Sequence, residues 1–137
     1  LRQRKMGTPL GERGDIPVTW ARPAGMDLRT HQFAPLTLDS NLAYIVSSAS
    51  ADFPVGVLIN KPNSGEGATA VIEGMVEARA GATVTGGRYV KISNGWFVAA
   101  NSGDRASGKS FSTAASGGVF TIQIIPTQIT LTTSFAP

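Results

Sequence analysis

The sequence predicts an all-β fold, a small β-barrel or β-clip-like domain with an extended N-terminal arm. Three observations carry this. Short β-type runs follow one another from Val55 to Ile125. Glycine falls in or between them at near-regular spacing, at Gly65, Gly67, Gly74, Gly81, Gly86, Gly87, Gly95, Gly103, Gly108, Gly117 and Gly118. Charged residues make up only 15% of the 137 positions, so the surface is finished with Ser, Thr, Asn, Gln and Gly, residues that suit strands and turns.

Residues 1–25 read as an arm. The stretch has no apolar periodicity, contains Pro9, Pro17 and Pro23, and carries Arg2, Arg4, Lys5, Arg13 and Arg22. Such a segment buries too little surface to order alone and reads as a solvated tail or as an arm that orders against a partner, with Trp20, a docking aromatic, favouring the arm. Residues 26–137 form the β domain. Asp27 to Ser40 alternates loosely around Leu28, Phe33, Leu36 and Leu38 and suggests an entry strand or an irregular edge. Leu42 to Val46 and Val55 to Ile59 read as buried strands. A turn-rich loop at Pro62, Asn63 and Gly65 precedes a strand over Thr69 to Ala80, in which Gly74 marks a bulge or a close backbone approach.

Gly86 and Gly87 resemble a tight hairpin connection. Asn94-Gly95 is the strongest hairpin signal in the chain, because a type I′ turn needs φ > 0 at both central residues. Further runs follow at Lys109 to Ala114 and from Gly118 to Ile125. Ile129, Leu131 and Phe135 alternate with polar residues and read as a last strand that pairs within or between subunits.

Composition narrows the function classes. The absence of cysteine excludes disulfides and thiolate metal sites. A single histidine, His31, leaves no imidazole cluster for a metal or relay. The formal net charge is +3, and six of twelve basic residues lie in the first thirty positions, so a nucleic-acid partner is not favoured. No run approaches the roughly 18 apolar residues of a membrane span, which argues against a membrane partner, and the N-terminal stretch has no apolar core of a signal peptide.

Several motifs tempt. Gly103-Asp104-Arg105-Ala106-Ser107-Gly108-Lys109-Ser110 matches the phosphate-binding pattern GxxxxGK[ST], but FSTAASGG follows where a helix must begin, so a polar turn before a strand is the expected structure. Arg13-Gly14-Asp15 matches an adhesion tripeptide that arises easily by chance. Glu73 and Glu77 share a strand face, with Glu66 nearby, and read as a solvated surface rather than a glycosidase pair. Tyr89, Trp96 and Phe97, near Arg88 and Lys91, read as cross-strand packing before they read as a base-stacking platform.

The blocks DLRTHQF, VGVLINKP, SGEGATAVIEGMVEA, AGATVTGGRYVKISNGWFVAA and GKSFSTAASGGVFTIQI, in that order from about Asp27 to Ile124, resemble the capsid cement or head decoration proteins of tailed bacteriophages. The matching glycines are Gly56, Gly65, Gly74, Gly81, Gly86, Gly87, Gly95, Gly108 and Gly118; the principal structural ones are Gly56, Gly65, Gly74, Gly81, Gly95 and Gly108. The resemblance implies a non-enzymatic protein without cofactor that binds the major capsid protein on the outer surface of the expanded head, as a homotrimer, and is made in the host cytoplasm. Arg2, Arg4, Lys5, Arg13 and Trp20 are then the expected capsid-binding arm. The alternative is a virion fibre or receptor-binding β module that recognises a host surface glycan.

Overall fold

Alternating strands and glycine turns dictate an antiparallel fold. The computed structural model describes residues 17–48 and 54–130. Nine strands form there: β1 (Val18–Pro23), β2 (Pro35–Leu38), β3 (Tyr44–Val46), β4 (Gly56–Leu58), β5 (Gly67–Arg79), β6 (Tyr89–Ser93), β7 (Trp96–Ala99), β8 (Arg105–Ser110) and β9 (Val119–Thr130). Their order is β3-β2-β4-β5-β9-β8-β6-β7, with β1 also on β5, and the sheet curls into a half-barrel. No helix occurs among the described residues.

β5 is long because it is used twice. Its first half takes β1 and β4, and from Gly74 onward it pairs with β9. Gly74 sits at the change of partner with φ 103°, a conformation that costs glycine little and an L side chain much. The pairing with β1 slips between Val18 and Thr19, so the strand is bulged just before that point. Each half covers its own core. Leu28, Leu36, Tyr44, Leu58 and Ala70 fill one cluster; Val57, Val90, Phe97, Phe120 and Ile122 fill the other. Phe97 meets Phe120 edge to face at 6.3 Å.

The Asn94-Gly95 turn forms as expected: φ is 52° and 82°, and Ser93 pairs with Trp96 across it. An internal near-symmetry lies behind the two other glycine pairs. Ala80 to Val90 and Ser110 to Phe120 run through the same sequence of bend, bridge and turn, thirty positions apart. Val84 and Ala114 exchange both backbone hydrogen bonds, at 2.8 and 2.9 Å. Gly87 N–H donates to the Ser110 carbonyl, and Gly117 N–H donates to the Ala80 carbonyl, each at 2.8 Å. A pseudo-twofold axis therefore passes between the segments.

Six expectations need correction. Val18–Pro23 is a strand paired with β5 from Glu73 to Gly67, so the sheet begins before the expected boundary at residue 25 and Trp20 is not part of a loose arm. Thr19 and Ala21 alternate with Val18, Trp20 and Arg22, a period-2 pattern that the flanking prolines and charges conceal. Within Asp27 to Ser40 the strand reading holds at Pro35–Leu38, but it lies between β3 and β4 and is no edge. Leu42 does not join a buried strand; it sits in a turn at φ 62° and is 54% exposed. Gly86 and Gly87 lead into β6 but join no hairpin, since Val84 pairs with Ala114. The strand expected at Lys109 to Ala114 starts earlier, at Arg105, and ends at Ser110. The expected last strand is, as far as Thr130, the end of β9 itself.

Candidate functional site

β1 and the mouth of the half-barrel build a surface where aromatic and apolar side chains remain open with an uncharged cavity behind them. Val18, Trp20 and Arg22 project from one face of β1. Val18 is 46% exposed and Trp20 41%. The indole is held from three sides. Tyr44 packs edge-on at 6.0 Å, its hydroxyl donates to the Trp20 carbonyl at 3.0 Å, and the Arg22 guanidinium lies 5.8 Å from the ring centre. Arg22 Nε in turn donates to the carbonyl of Leu42 at 2.8 Å, which ties the exposed Leu42 turn to the same patch. Burial pushes the Tyr44 phenol up to about 12, so it stays a neutral donor to the Trp20 carbonyl.

Behind Trp20 opens a cavity of about 380 Å³ lined by Trp20, Pro35, Pro54, Val55, Gly56, Val57, Ile72, Phe97, Ser107, Ile122, Ile124 and Ile125. No charged side chain lines it. Gly56 is obligatory here, because a Cβ would stand 2.3 Å from the Val71 carbonyl oxygen. Gly108 lies equally close, on β8, where a Cβ would meet Ile122 Cδ1 at 2.5 Å. Of the other glycines singled out, Gly65 donates to the Ala24 carbonyl in the loop before β5. Gly81 lets the chain pass Trp96, whose Cβ would lie 2.9 Å from an added methyl group. Arg2, Arg4, Lys5 and Arg13 lie outside the described residues, as does the Arg13-Gly14-Asp15 tripeptide.

The phosphate-loop string has another use. Arg105 to Ser110 is strand β8, so its amides belong to a ladder. Ser110 is fully buried; its hydroxyl donates to the Thr85 carbonyl at 2.7 Å, lies 3.0 Å from the Arg88 carbonyl, and accepts from Arg88 N–H at 3.1 Å. Lys109 Nζ stands 5.8 Å over the Tyr89 ring. Asp104 receives Asn101 N–H at 2.7 Å and pairs with Lys91 at 3.0 Å; the Asn101 amide, then Lys91, holds its carboxyl below the usual range. Neither a phosphate cradle nor a magnesium ligand is left.

The remaining aromatic group is packing. Trp96 is stacked against His31 at 5.8 Å and an interplanar angle of 11°, with Arg79 5.8 Å from the same ring. Phe97 is core. Glu73 and Glu77 are both exposed on β5, and among the described residues no three His, Cys, Asp or Glu side chains cluster as metal ligands. The apolar patch around Trp20 and Leu42 and the cavity behind it were not legible as a site, because their residues come from β1, β2, β4, β5, β7, β8 and β9 and the segments between them.

No protein-family model matches the chain, and no curated protein does. Among solved structures it is similar to the N base of the head fibre gp8.5 of bacteriophage phi29, with a TM-score of 0.61 and 14% identity, over 83% of this chain and 98% of that one. What the likeness shows is the fold: an all-β, barrel-like domain shared over nearly the whole of that base.

Proposed function

We propose that this chain is a structural protein of a phage virion that sits on the outer surface of the expanded head and stabilises it, without enzymatic activity. The observation that carries the reading is the structural likeness, which takes in nearly all of a domain from a phage head fibre. The resemblance of the sequence blocks to head decoration proteins supports the same placement. The major capsid protein is the partner, and copies cluster about symmetry axes, as homotrimers in the reading adopted here.

The stabilising logic needs no chemistry. A protein that binds the assembled shell and not its dissociated subunits stabilises the shell by mass action, and many copies on a lattice multiply a modest affinity. The contact is assigned to Val18, Trp20, Arg22 and Leu42, joined by the basic residues Arg2, Arg4, Lys5 and Arg13. A leucine held at φ 62° and 54% exposed is an unusual use of that residue in a fold alone, and it lies beside an exposed tryptophan.

The test is co-sedimentation of the purified protein with expanded, undecorated heads of its own virus at moderate and high salt. Saturation at a fixed copy number per head is expected. Absence of binding to intact heads overturns the placement. The fibre base among its structural neighbours favours a second reading, in which the domain roots a fibre or receptor-binding module on the virion. That reading predicts few copies per particle and binding of host surface polysaccharide, where the cement reading predicts a coated shell.

A further inference from the structure

The cavity behind Trp20 is open and apolar, and the chain carries an uncharged segment of suitable length and composition. We infer that Leu131–Pro137 of one copy occupies the cavity of a second copy, so that the domain associates by exchanging the stretch that follows β9. The contact concerns copies of this chain alone and stands whether or not they sit on a phage head.

Two properties choose the occupant. No charge lines the cavity, and the residues beyond Thr130 are LTTSFAP, also without charge; the N-terminal stretch, with Arg2, Arg4, Lys5 and Arg13, is the wrong chemistry for it. An apolar cavity of about 150 Å³ takes up one benzene-sized ring, so about 380 Å³ holds two apolar side chains, and LTTSFAP offers Leu131 and Phe135 at period-2 spacing.

Direction chooses a second copy over the same one. β9 lines the cavity with Ile122, Ile124 and Ile125 and then runs on to Thr130. After Ile124 it is no longer paired with β5, and its last pair with β8 is Arg105↔Thr130, at the residue where β8 begins. The chain thus leaves the sheet heading away from its own cavity. From Ile124 to Thr130 β9 bulges and advances past three residues of β8, Gly108 to Arg105, about 10 Å along the sheet, and the segment would have to double back over that distance. LTTSFAP contains no Gly, Asn or Asp with which to turn. Continued straight on, its seven residues reach about 23 Å from the protomer. A knob on one face and a hole on another make a heterologous contact, which closes into a ring when the rotation permits.

The absence of native cysteine gives a direct test. Val55 stands half-buried at the cavity, so the variant Val55→Cys/Phe135→Cys is oxidised mildly and run on a non-reducing gel. Cross-linked species of two or more chains are expected, and neither single variant yields more than a dimer. Disulfide formation confined within single chains, or thiols left free, overturns the proposal. In parallel, sedimentation of the unmodified chain and of Leu131→Ser/Phe135→Ser is compared. Association of the first and at least tenfold weaker association of the second, with unchanged far-UV circular dichroism, is expected; a monomeric unmodified chain, or association equal in both, overturns it.

Discussion

Replacing Gly56 by alanine adds one methyl group at the tightest point of the fold. The new Cβ would lie 2.3 Å from the Val71 carbonyl oxygen and 2.9 Å from its carbon. Carbon and oxygen rest at about 3.3 Å or more in close strand contacts, so β4 and β5 must part by about 1 Å. The obstacle is backbone and has no rotamer to change. Parting the strands loosens the Val57↔Val71 and Leu58↔Ala70 pairs and lifts two fully buried side chains from the two cores that they serve. Overpacking of this kind costs about 1–3 kcal/mol and a weakened ladder bond about 1 kcal/mol, so a loss of about 2–4 kcal/mol is expected. With a urea slope of about 2 kcal/mol/M, the midpoint falls by about 1–2 M at unchanged slope. Gly65→Ala is the control: its φ is 85° but nothing lies within 4 Å, so only the backbone term of about 1–2 kcal/mol applies. If Gly56→Ala proved no more destabilising than Gly65→Ala, the close-approach argument would be wrong.

Other outcomes follow from the same geometry. Trp20→Ala weakens head binding by at least tenfold in co-sedimentation, about 1.4 kcal/mol or more, with the fold intact by circular dichroism. Leu42→Asn separates stability from binding: asparagine tolerates φ > 0 better than leucine, so the urea midpoint holds or rises while head binding falls. Ser110→Ala removes a buried hydroxyl that bonds the Thr85 carbonyl and the Arg88 backbone, and lowers stability by about 1 kcal/mol in urea unfolding. Unfolding measured against pH shows a loss at both ends. Hydrogen bonds from the Arg29 side chain hold the Asp27 carboxyl at about 2 against an ordinary 3.8, so it stabilises above pH 3.8 and ceases to as pH falls through about 2; Asp104, also held low, loses its contribution in the same direction, as pH falls below the ordinary carboxylate range. Tyr44, raised from 10 to about 12 by burial, stabilises below pH 10 and ceases to as pH rises through about 12, and Tyr44→Phe removes that alkaline part.

Local chemistry was legible wherever one residue type had one physical reason. Asn94-Gly95 turns because both positions take φ > 0, and Gly74 falls where β5 changes partner. The all-β class followed from the runs and turns between Val55 and Ile125. What stayed hidden depends on partners distant in sequence. Whether VTWARP is arm or strand is decided by the edge of β5 offered to it, fifty residues on, and its own proline and arginines argue the other way. GDRASGKS reads as a phosphate loop until β9 supplies the ladder that makes it a strand. Leu42 looked like core because LAYIV is apolar throughout, yet the chain turns at Leu42 before the strand begins at Tyr44. The cavity assembles from residues of seven strands, and no short window contains it.

The placement on the head is tested most directly by three-dimensional reconstruction of the virion from electron micrographs. The account predicts density for this half-barrel on the outer face of the shell at symmetry-related positions, with β1, Trp20 and Leu42 toward the capsid. Density at the tail alone, or none on a shell of particles known to contain the chain, would contradict it.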